Sequence, residues 1–245
     1  MALVHEFEKS GNWLFKRRGW LTLFLIMFGI AAMYLGKREV IIFNPLFEML
    51  ILGISIAGEI MRILTVGFAP GATSGRNTAA GQVAGELNVT GIYSVMRHPL
   101  YAANFLMWLG PVLFLRSFWF TLTFVVVYWL YYERIMFAEE QFLRRKFGDL
   151  YDKWSEKVLP VIPAFRNFTP PLLPFCIRTV LKREHNSFFS IFAIFTLLDL
   201  CRNYIIAGEL FITPLWLYFI LPAGLIWIIL RILHKKTRYL VVEGR

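Results

Sequence analysis

Residues 91–163 decide the fold, because two apolar segments lie there between two polar motifs. The first motif reads Gly91-Ile-Tyr93-Ser-Val-Met-Arg97-His98-Pro99-Leu100-Tyr101. The second reads Glu139-Glu140-Gln-Phe-Leu143-Arg-Arg-Lys-Phe147-Gly148-Asp-Leu-Tyr151, and Val158-Leu-Pro160-Val-Ile-Pro163 follows it. Charged groups at the edge of apolar helices are costly and usually functional. The pattern therefore predicts a membrane hairpin with an active site at its mouth.

The composition places the whole chain in a bilayer. It has 245 residues, of which 58% are hydrophobic and 17% charged, whereas soluble domains have about 25% charged residues. A helix needs about 20 apolar residues to span the hydrocarbon core, and six windows qualify or come close: Trp20–Leu35, Leu46–Phe68, Leu100–Leu115, Phe118–Phe137, Phe188–Ile206 and Thr213–Leu233. We predict an all-α, polytopic membrane protein with about six transmembrane helices in three hairpins.

The net charge of +10 is explained by membrane topology rather than by nucleic-acid binding, since the basic residues flank the apolar windows. Basic clusters lie within residues 9–18, 134–183 and 231–238. The positive-inside rule places these three regions on the cytoplasmic side. We expect a multi-pass protein with both termini and the mouth of the active site in the cytoplasm.

The sequence offers no soluble cofactor domain and no metal site. Cys176, Cys201 and the four histidines lack metal-ligand spacing. No Gly-x-Gly-x-x-Gly motif follows a predicted strand. The segment Gly67–Gly91 is rich in glycine and is predicted to be a loop, either a connector or a segment whose N–H groups approach a ligand. Any cofactor must then be held by the membrane helices and their cytoplasmic edges.

The fourth span is predicted to continue from Glu133 to Trp154 as an amphipathic helix outside the membrane. Its apolar stripe has helical spacing and consists of Leu143, Phe147, Leu150 and Trp154. Glu139 falls on this inward stripe, whereas Glu140 lies four residues before Arg144 and is expected to pair with it. Near the end of the fifth span, Asp199 and Arg202 are predicted to form a structural ion pair.

The Arg97-His98-Pro99-x-Tyr101 motif has two interpretations. Proline suits the first turn of the third span, where a helix N-terminus favours an anionic group. Arg97 can grip a carboxylate through two hydrogen bonds, and His98 and Tyr101 can each form one. Alternatively, these residues only anchor the protein at the membrane interface. The double acid one hairpin later favours a ligand, because a zwitterionic cofactor with a ribose and a positive centre would satisfy all these groups.

These motifs resemble a known family. The pattern Arg97-His98-Pro99-x-Tyr101, the pairs Glu139-Glu140 and Phe147-Gly148, and Pro160 with Pro163 are similar to the integral-membrane methyltransferases grouped around isoprenylcysteine carboxyl methyltransferase and phospholipid methyltransferases. The resemblance covers about residues 85–165. We accordingly divide the chain into an N-terminal hairpin with its loop (1–84), a methyltransferase core (85–165) and a C-terminal hairpin with a basic tail (166–245).

The resemblance implies methyl transfer from S-adenosylmethionine to a membrane lipid or lipid-attached acceptor. It implies that the cofactor contacts His98, Pro99, Leu100, Tyr101, Pro111, Val112, Leu113, Phe114, Glu139 and Glu140. Arg97 and Arg134 are the candidate catalytic residues. The family usually has glycine where this chain has Ala103. Its isoprenylcysteine members carry a substrate-contacting arginine where this chain has Ile135, and the neighbouring Arg134 points about 100° away around a helix.

Several acceptors and two other functions stay open. A carboxylate or a phosphate, such as that of lipid A, needs only alignment with an activated methyl group, whereas an amine needs a base such as Glu139 or a water molecule. A membrane reductase using NADPH is one alternative, and binding of S-adenosylmethionine but not NADPH would exclude it. A non-enzymatic membrane scaffold or transporter is the other, although we find no internal repeat.

Overall fold

The computed structural model describes residues 2–36, 43–71, 77–78, 81–82 and 84–244. Parts of the predicted Gly67–Gly91 loop therefore lie outside the described residues. The helices are α1 Ala2–Lys16, α2 Arg18–Leu35, α3 Pro45–Phe68, α4 Pro99–Phe114, α5 Phe118–Phe147, α6 Asp149–Ser155, α7 Ile177–Ala207 and α8 Pro214–Lys236. Two short 3₁₀ turns cover Ile92–Ser94 and Phe165–Asn167, and two-residue strands β1 Asn77–Thr78 and β2 Gly81–Gln82 pair antiparallel. The all-helical class is thus confirmed.

Four of the described helices, α2, α3, α7 and α8, are long and apolar enough to cross a membrane. Helix α4 is apolar but shorter, as the short third window predicted. Helix α5 contains the predicted fourth window and extends ten residues beyond it, to Phe147. The protein is therefore an integral membrane protein, and the count of six spans in three hairpins stays a prediction.

Helices α3 and α4 pack in close contact because small residues face each other. A Cβ atom on Gly58 would lie 2.5 Å from the carbonyl oxygen of Ala103, and one on Gly110 would lie 2.1 Å from Ser55 Oγ. Ser55 Oγ also donates a hydrogen bond to the carbonyl of Met107 at 2.9 Å. Although Ala103 replaces the family's usual glycine, the close approach is preserved, because α3 supplies the small residue.

The helix does not continue unbroken to Trp154, so that prediction is wrong. Helix α5 ends at Phe147, and Gly148 adopts a φ of +52°, which glycine tolerates far better than other residues. The turn rotates α6, so that Tyr151 is 3% exposed whereas Leu150 is 57% exposed. Leu150 therefore leaves the predicted apolar stripe, whereas Leu143, Phe147 and Trp154 pack in one cluster with Tyr151.

The predicted ion pair of Asp199 and Arg202 is confirmed, and Glu48 of α3 joins it. All three side chains are buried. Trp216 Nε1 donates to Glu48 Oε2 at 2.8 Å, and the backbone N–H of Thr213 donates to Asp199 Oδ2 at 2.7 Å. This polar cluster links α3, α7 and the start of α8.

Helix α1, which the sequence analysis did not predict, lies along the C-terminal half of α5. Phe15 is buried in an aromatic cluster that includes Tyr101 and Tyr132. The Tyr131 hydroxyl donates to the carbonyl of Leu14 at 3.1 Å. A Cβ atom on Gly11 would lie 2.1 Å from the backbone oxygen of Arg134, so the two helices touch through their backbones.

We expect Gly11→Val to displace α1 and to destabilise the protein by about 1–3 kcal/mol, the usual cost of overpacking. Gly19→Val is the matched control, because a Cβ atom there would meet nothing within 4 Å. The thermal unfolding midpoint of each variant in detergent measures the effect. Equal midpoints for the two variants would show that α1 does not depend on this contact.

Candidate active site

A cleft of about 360 Å³ opens where α3, α4, α5 and α7 meet. This volume lies within the roughly 300–1,000 Å³ typical of small-molecule pockets. The residues lining the cleft are Arg18, Arg62, Val66, Tyr93, Arg97, His98, Pro99, Leu100, Tyr101, Asn104, Glu139, Arg183 and Glu184. Six of the predicted site residues are among them, in two separate stretches of sequence.

The Arg-His-Pro corner is fixed by backbone hydrogen bonds. Pro99 occupies the first turn of α4 and His98 precedes the helix, as the motif predicted. The N–H of Arg97 donates to the carbonyl of Leu159 at 2.9 Å, and the N–H of His98 donates to that of Pro160 at 2.8 Å. The trailing proline segment therefore holds the corner in place.

Glu139 faces inward, as its position on the helical stripe predicted. It is 7% exposed, and its Oε2 accepts a hydrogen bond from the Tyr101 hydroxyl at 2.9 Å. The Nδ1 atom of His98 lies 3.7 Å from the same oxygen. Tyr128 donates its hydroxyl to the carbonyl of Tyr101 at 2.7 Å. The carboxylate is thus held at the cleft wall by an ordered set of neighbours.

Glu140 stands behind the corner rather than in the cleft lining. Its Oε1 lies 2.9 Å from His98 Nε2 and 3.0 Å from Arg97 Nε, and Arg97 Nη1 donates to the carbonyl of Ser155 at 2.7 Å. The predicted pair with Arg144 is wrong, because Arg144 binds Asp152 at 2.7 Å after the turn at Gly148. The two neighbouring acids therefore contact the two nitrogens of one histidine.

The pKa of the Glu140 carboxyl is lowered. Burial acts to raise the pKa, but the hydrogen bond and charge of His98 and the charge of Arg97 outweigh it. A carboxyl whose pKa is lower in the folded state stabilises the fold above its ordinary pKa of about 4.3. This stabilisation is lost only as the pH falls through the lowered value, so Glu140 keeps its charge at neutral pH.

Sequence reasoning missed the second wall of the cleft. Arg62 of α3 donates through Nε and Nη2 to both carboxylate oxygens of Glu184, at 2.8 and 3.2 Å, and through Nη1 to Asn104 Oδ1 at 2.6 Å. A charged residue inside the apolar window Leu46–Phe68 was the available signal. Arg18 and Arg183 also line the cleft. They belong to the basic clusters that the positive-inside rule explains by membrane topology, so they carried no separate signal for a site role.

Some predicted site residues are not brought to the cleft. Pro111, Val112, Leu113 and Phe114 lie at the other end of α4, and Phe114 packs against Phe195 and Trp216. Since a helix rises 1.5 Å per residue, Phe114 is roughly 20 Å along the axis from Tyr101. Arg134 also lies elsewhere, with its guanidinium 3.4 Å above the ring of Phe7.

The cleft combines groups suited to a zwitterion. Glu139 can attract a positive centre or accept hydroxyl hydrogen bonds, whereas both oxygens of Glu184 already accept from Arg62. Four arginines in the same lining can attract a carboxylate or a phosphate. The residues present therefore fit a small ligand carrying both signs of charge, placed at the edge of membrane helices.

Comparison with known proteins places this site in a family. Residues 48–150, which include most of α3 and all of α4 and α5, match the family model described as Phospholipid methyltransferase. The chain is also similar to Protein-S-isoprenylcysteine O-methyltransferase of Schizosaccharomyces pombe, with 38% identity over 76 residues, covering 30% of this chain and 32% of that protein. A Probable protein-S-isoprenylcysteine O-methyltransferase of Oryza sativa subsp. indica is 34% identical over 114 residues, covering 44% of this chain and 56% of the rice protein.

The matched regions thus span about a third to just over half of the length of these relatives. No solved structure is significantly similar to the chain. The cleft at the edge of the apolar helices is suited to a small charged ligand, and the comparisons indicate a membrane methyltransferase. The match of residues 48–150 and the similarity to these relatives support the integral-membrane methyltransferase family that the motifs predicted. The comparisons do not favour an NADPH-dependent reductase or a scaffold.

Proposed function

We propose that this protein transfers a methyl group from S-adenosylmethionine to a lipidic or lipid-attached acceptor that reaches the cleft from the bilayer. The observation that carries the proposal is the convergence of Arg97, His98, Tyr101 and Glu139 on one cleft inside the segment that matches the family. Motifs more than thirty residues apart in sequence meet there through the contacts of α4 with α5.

The groups in the cleft fit the cofactor by charge and hydrogen bonding. Glu139 suits the ammonium or hydroxyl groups of S-adenosylmethionine. Arg97, whose Nε and Nη1 contact Glu140 and the carbonyl of Ser155, can donate to the cofactor carboxylate through Nη2. When bound, the cofactor supplies a methyl group already activated by the sulfonium. The protein then has to position an acceptor and exclude water. For an anionic acceptor no side chain has to remove a proton, whereas for an amine Glu139 is the candidate base.

The cleft lining favours an anionic acceptor group over an amine. Four arginines line it against Glu139 and Glu184, and Glu140 behind it contacts Arg97, so the formal charge of the site stays positive. This positive charge would attract a carboxylate or a phosphate, such as that of lipid A. The relatives' names give an isoprenylcysteine as their methyl acceptor. We therefore place the lipid phosphate and the prenylated cysteine carboxylate ahead of the lipid amine.

Purified full-length protein in lipid nanodiscs tests the function. We would titrate it with S-adenosylmethionine and with NADPH by calorimetry, and then supply labelled S-adenosylmethionine together with lipid extract or a prenylcysteine. Binding of the first ligand and transfer of label to one acceptor class supports the proposal. Binding of NADPH alone would favour a reductase, and binding of neither would favour a scaffold.

We also propose that the cleft faces the cytoplasm, because the basic clusters lie on its side of the bundle. A cysteine at exposed Glu156 should be labelled only after the inner face is opened, whereas one at exposed Leu210, between α7 and α8, should be labelled from outside. Both variants lack Cys176 and Cys201, and each is labelled in intact cells and in permeabilised cells. Labelling of the Glu156 position in intact cells would reverse the topology.

A further inference from the structure

Residues 159–175, named here the proline loop, connect α6 to α7 and expose an unusual amount of apolar surface. Phe165 is 74% exposed and Leu172 is 84% exposed. The other exposed large apolar side chains of the loop are Leu159, Ile162, Phe168 and Phe175. Six exposed large apolar side chains within one short loop point to an interaction site. A long irregular connection in a compact fold is likewise usually functional.

The backbone of the proline loop is turned toward the protein. The carbonyl of Thr169 accepts from the N–H of Gly91 at 2.8 Å, and the N–H of Ala164 donates to the carbonyl of Val95 at 3.0 Å. The carbonyl of Leu159 holds Arg97 at the cleft. Because the loop satisfies backbone groups inward and points apolar side chains outward, it is built to face a medium other than bulk water.

The charge and position of the loop indicate which medium this is. Lys157, Arg166 and Arg178 are exposed around it, and residues 157–178 contain no Asp or Glu. The loop leads directly into α7, one of the helices apolar enough to cross the membrane. Basic side chains beside apolar ones at a membrane edge favour anionic lipid headgroups.

We propose that the proline loop inserts its apolar side chains into the headgroup region of the bilayer and binds anionic lipids there. Since the loop is hydrogen-bonded to Arg97 and His98, its insertion also sets the depth of the cleft corner relative to the lipid surface. The consequence for catalysis rests on the proposed function, whereas the insertion itself does not.

Insertion is measured with a fluorescent label on full-length protein in vesicles of phosphatidylcholine and phosphatidylglycerol. The label is placed on Phe165→Cys or Leu172→Cys, in a background without Cys176 and Cys201, and exposed Glu156→Cys is the control. We expect quenching by spin-labelled lipid at both loop positions, and iodide quenching about fivefold weaker than at the control. Iodide quenching equal to the control would overturn the proposal.

Two further outcomes are decisive. Labels shielded from iodide but not quenched by spin-labelled lipid would show that protein, such as a second copy, covers the loop, and this would also overturn the proposal. In vesicles of phosphatidylcholine alone the labels should become more accessible to iodide. Unchanged accessibility would contradict the binding of anionic lipids.

The catalytic consequence is tested with the double variant Phe165→Ser/Leu172→Ser. We expect kcat/KM for a bilayer-borne acceptor to fall by about tenfold, with unchanged affinity for S-adenosylmethionine. Leu150→Ser, which removes an exposed leucine from α6, is the control. If the wild-type protein binds no S-adenosylmethionine, the proposed function fails, but the labelling result still decides whether the loop inserts. A double variant as active as Leu150→Ser would overturn the role of the loop in setting the depth of the cleft corner.

Discussion

Changing Glu139 to glutamine is expected to weaken S-adenosylmethionine binding by about tenfold to a hundredfold, the effect of losing about 1.5–3 kcal/mol from one charge-assisted hydrogen bond. The glutamine oxygen can still accept from the Tyr101 hydroxyl, which is 2.9 Å from Glu139 Oε2. The variant thus removes the negative charge at the cleft wall while leaving the local packing in place. Calorimetry of the purified protein measures the loss.

Two other glutamates on α5 serve as controls. Glu133 is exposed, so Glu133→Gln should leave the affinity unchanged. Glu140 does not line the cleft, but it holds His98 and Arg97, and Glu140→Gln should give an intermediate loss. Equal affinities for Glu139→Gln and Glu133→Gln would remove Glu139 from the cofactor site, and a larger loss for Glu140 would give the main role to the Arg-His corner.

Local sequence predicted the parts of this site that depend on helix geometry. The inward position of Glu139 follows from its spacing to Leu143, and the placement of Pro99 follows from its missing N–H. The break at Gly148 was also readable, since basic residues followed by glycine commonly end a helix. The separation of Tyr101 and Phe114 was also predictable from the sequence. Residues three and a half helical turns apart lie too far from each other to contact one small ligand.

Other parts of the site depend on partners distant in sequence. Arg62 meets Glu184, which lies on α7, and no local pattern states which polar residues of two separate helices share a height in the membrane. The N-terminal helix α1 was missed for a similar reason. Its contact with α5 depends on Gly11 fitting against the backbone of Arg134, and neither segment alone reveals that fit.

The polar cluster of Glu48, Asp199 and Arg202 should be the most sensitive point for stability. Arg202→Met leaves two buried carboxylates without their counter-charge, and breaking a buried ion pair in this way typically costs about 3–5 kcal/mol. Arg144→Met is the matched control, because Arg144 forms its ion pair with Asp152 at the surface, where such pairs contribute about 0–1 kcal/mol. Thermal unfolding in detergent should show a large decrease for the first variant and little change for the second.

The balance of charge in this cluster makes a sharper test possible. Glu48→Gln keeps one acceptor, which can serve Trp216 Nε1 at its present 2.8 Å, and leaves Arg202 paired with Asp199, but its NH2 group then faces Arg202 Nη1, which donates to the second Glu48 oxygen. Its cost should therefore be about 1–3 kcal/mol, that of one buried donor without a partner, and below that of Arg202→Met. Since Glu48 lies roughly 21 Å along α3 from Arg62, folded Glu48→Gln protein should bind S-adenosylmethionine like the wild type. If Glu48→Gln were as damaging as Arg202→Met, the cluster would depend on both carboxylate charges, and the pairing of Arg202 with Asp199 alone would not suffice to hold α3, α7 and α8 together.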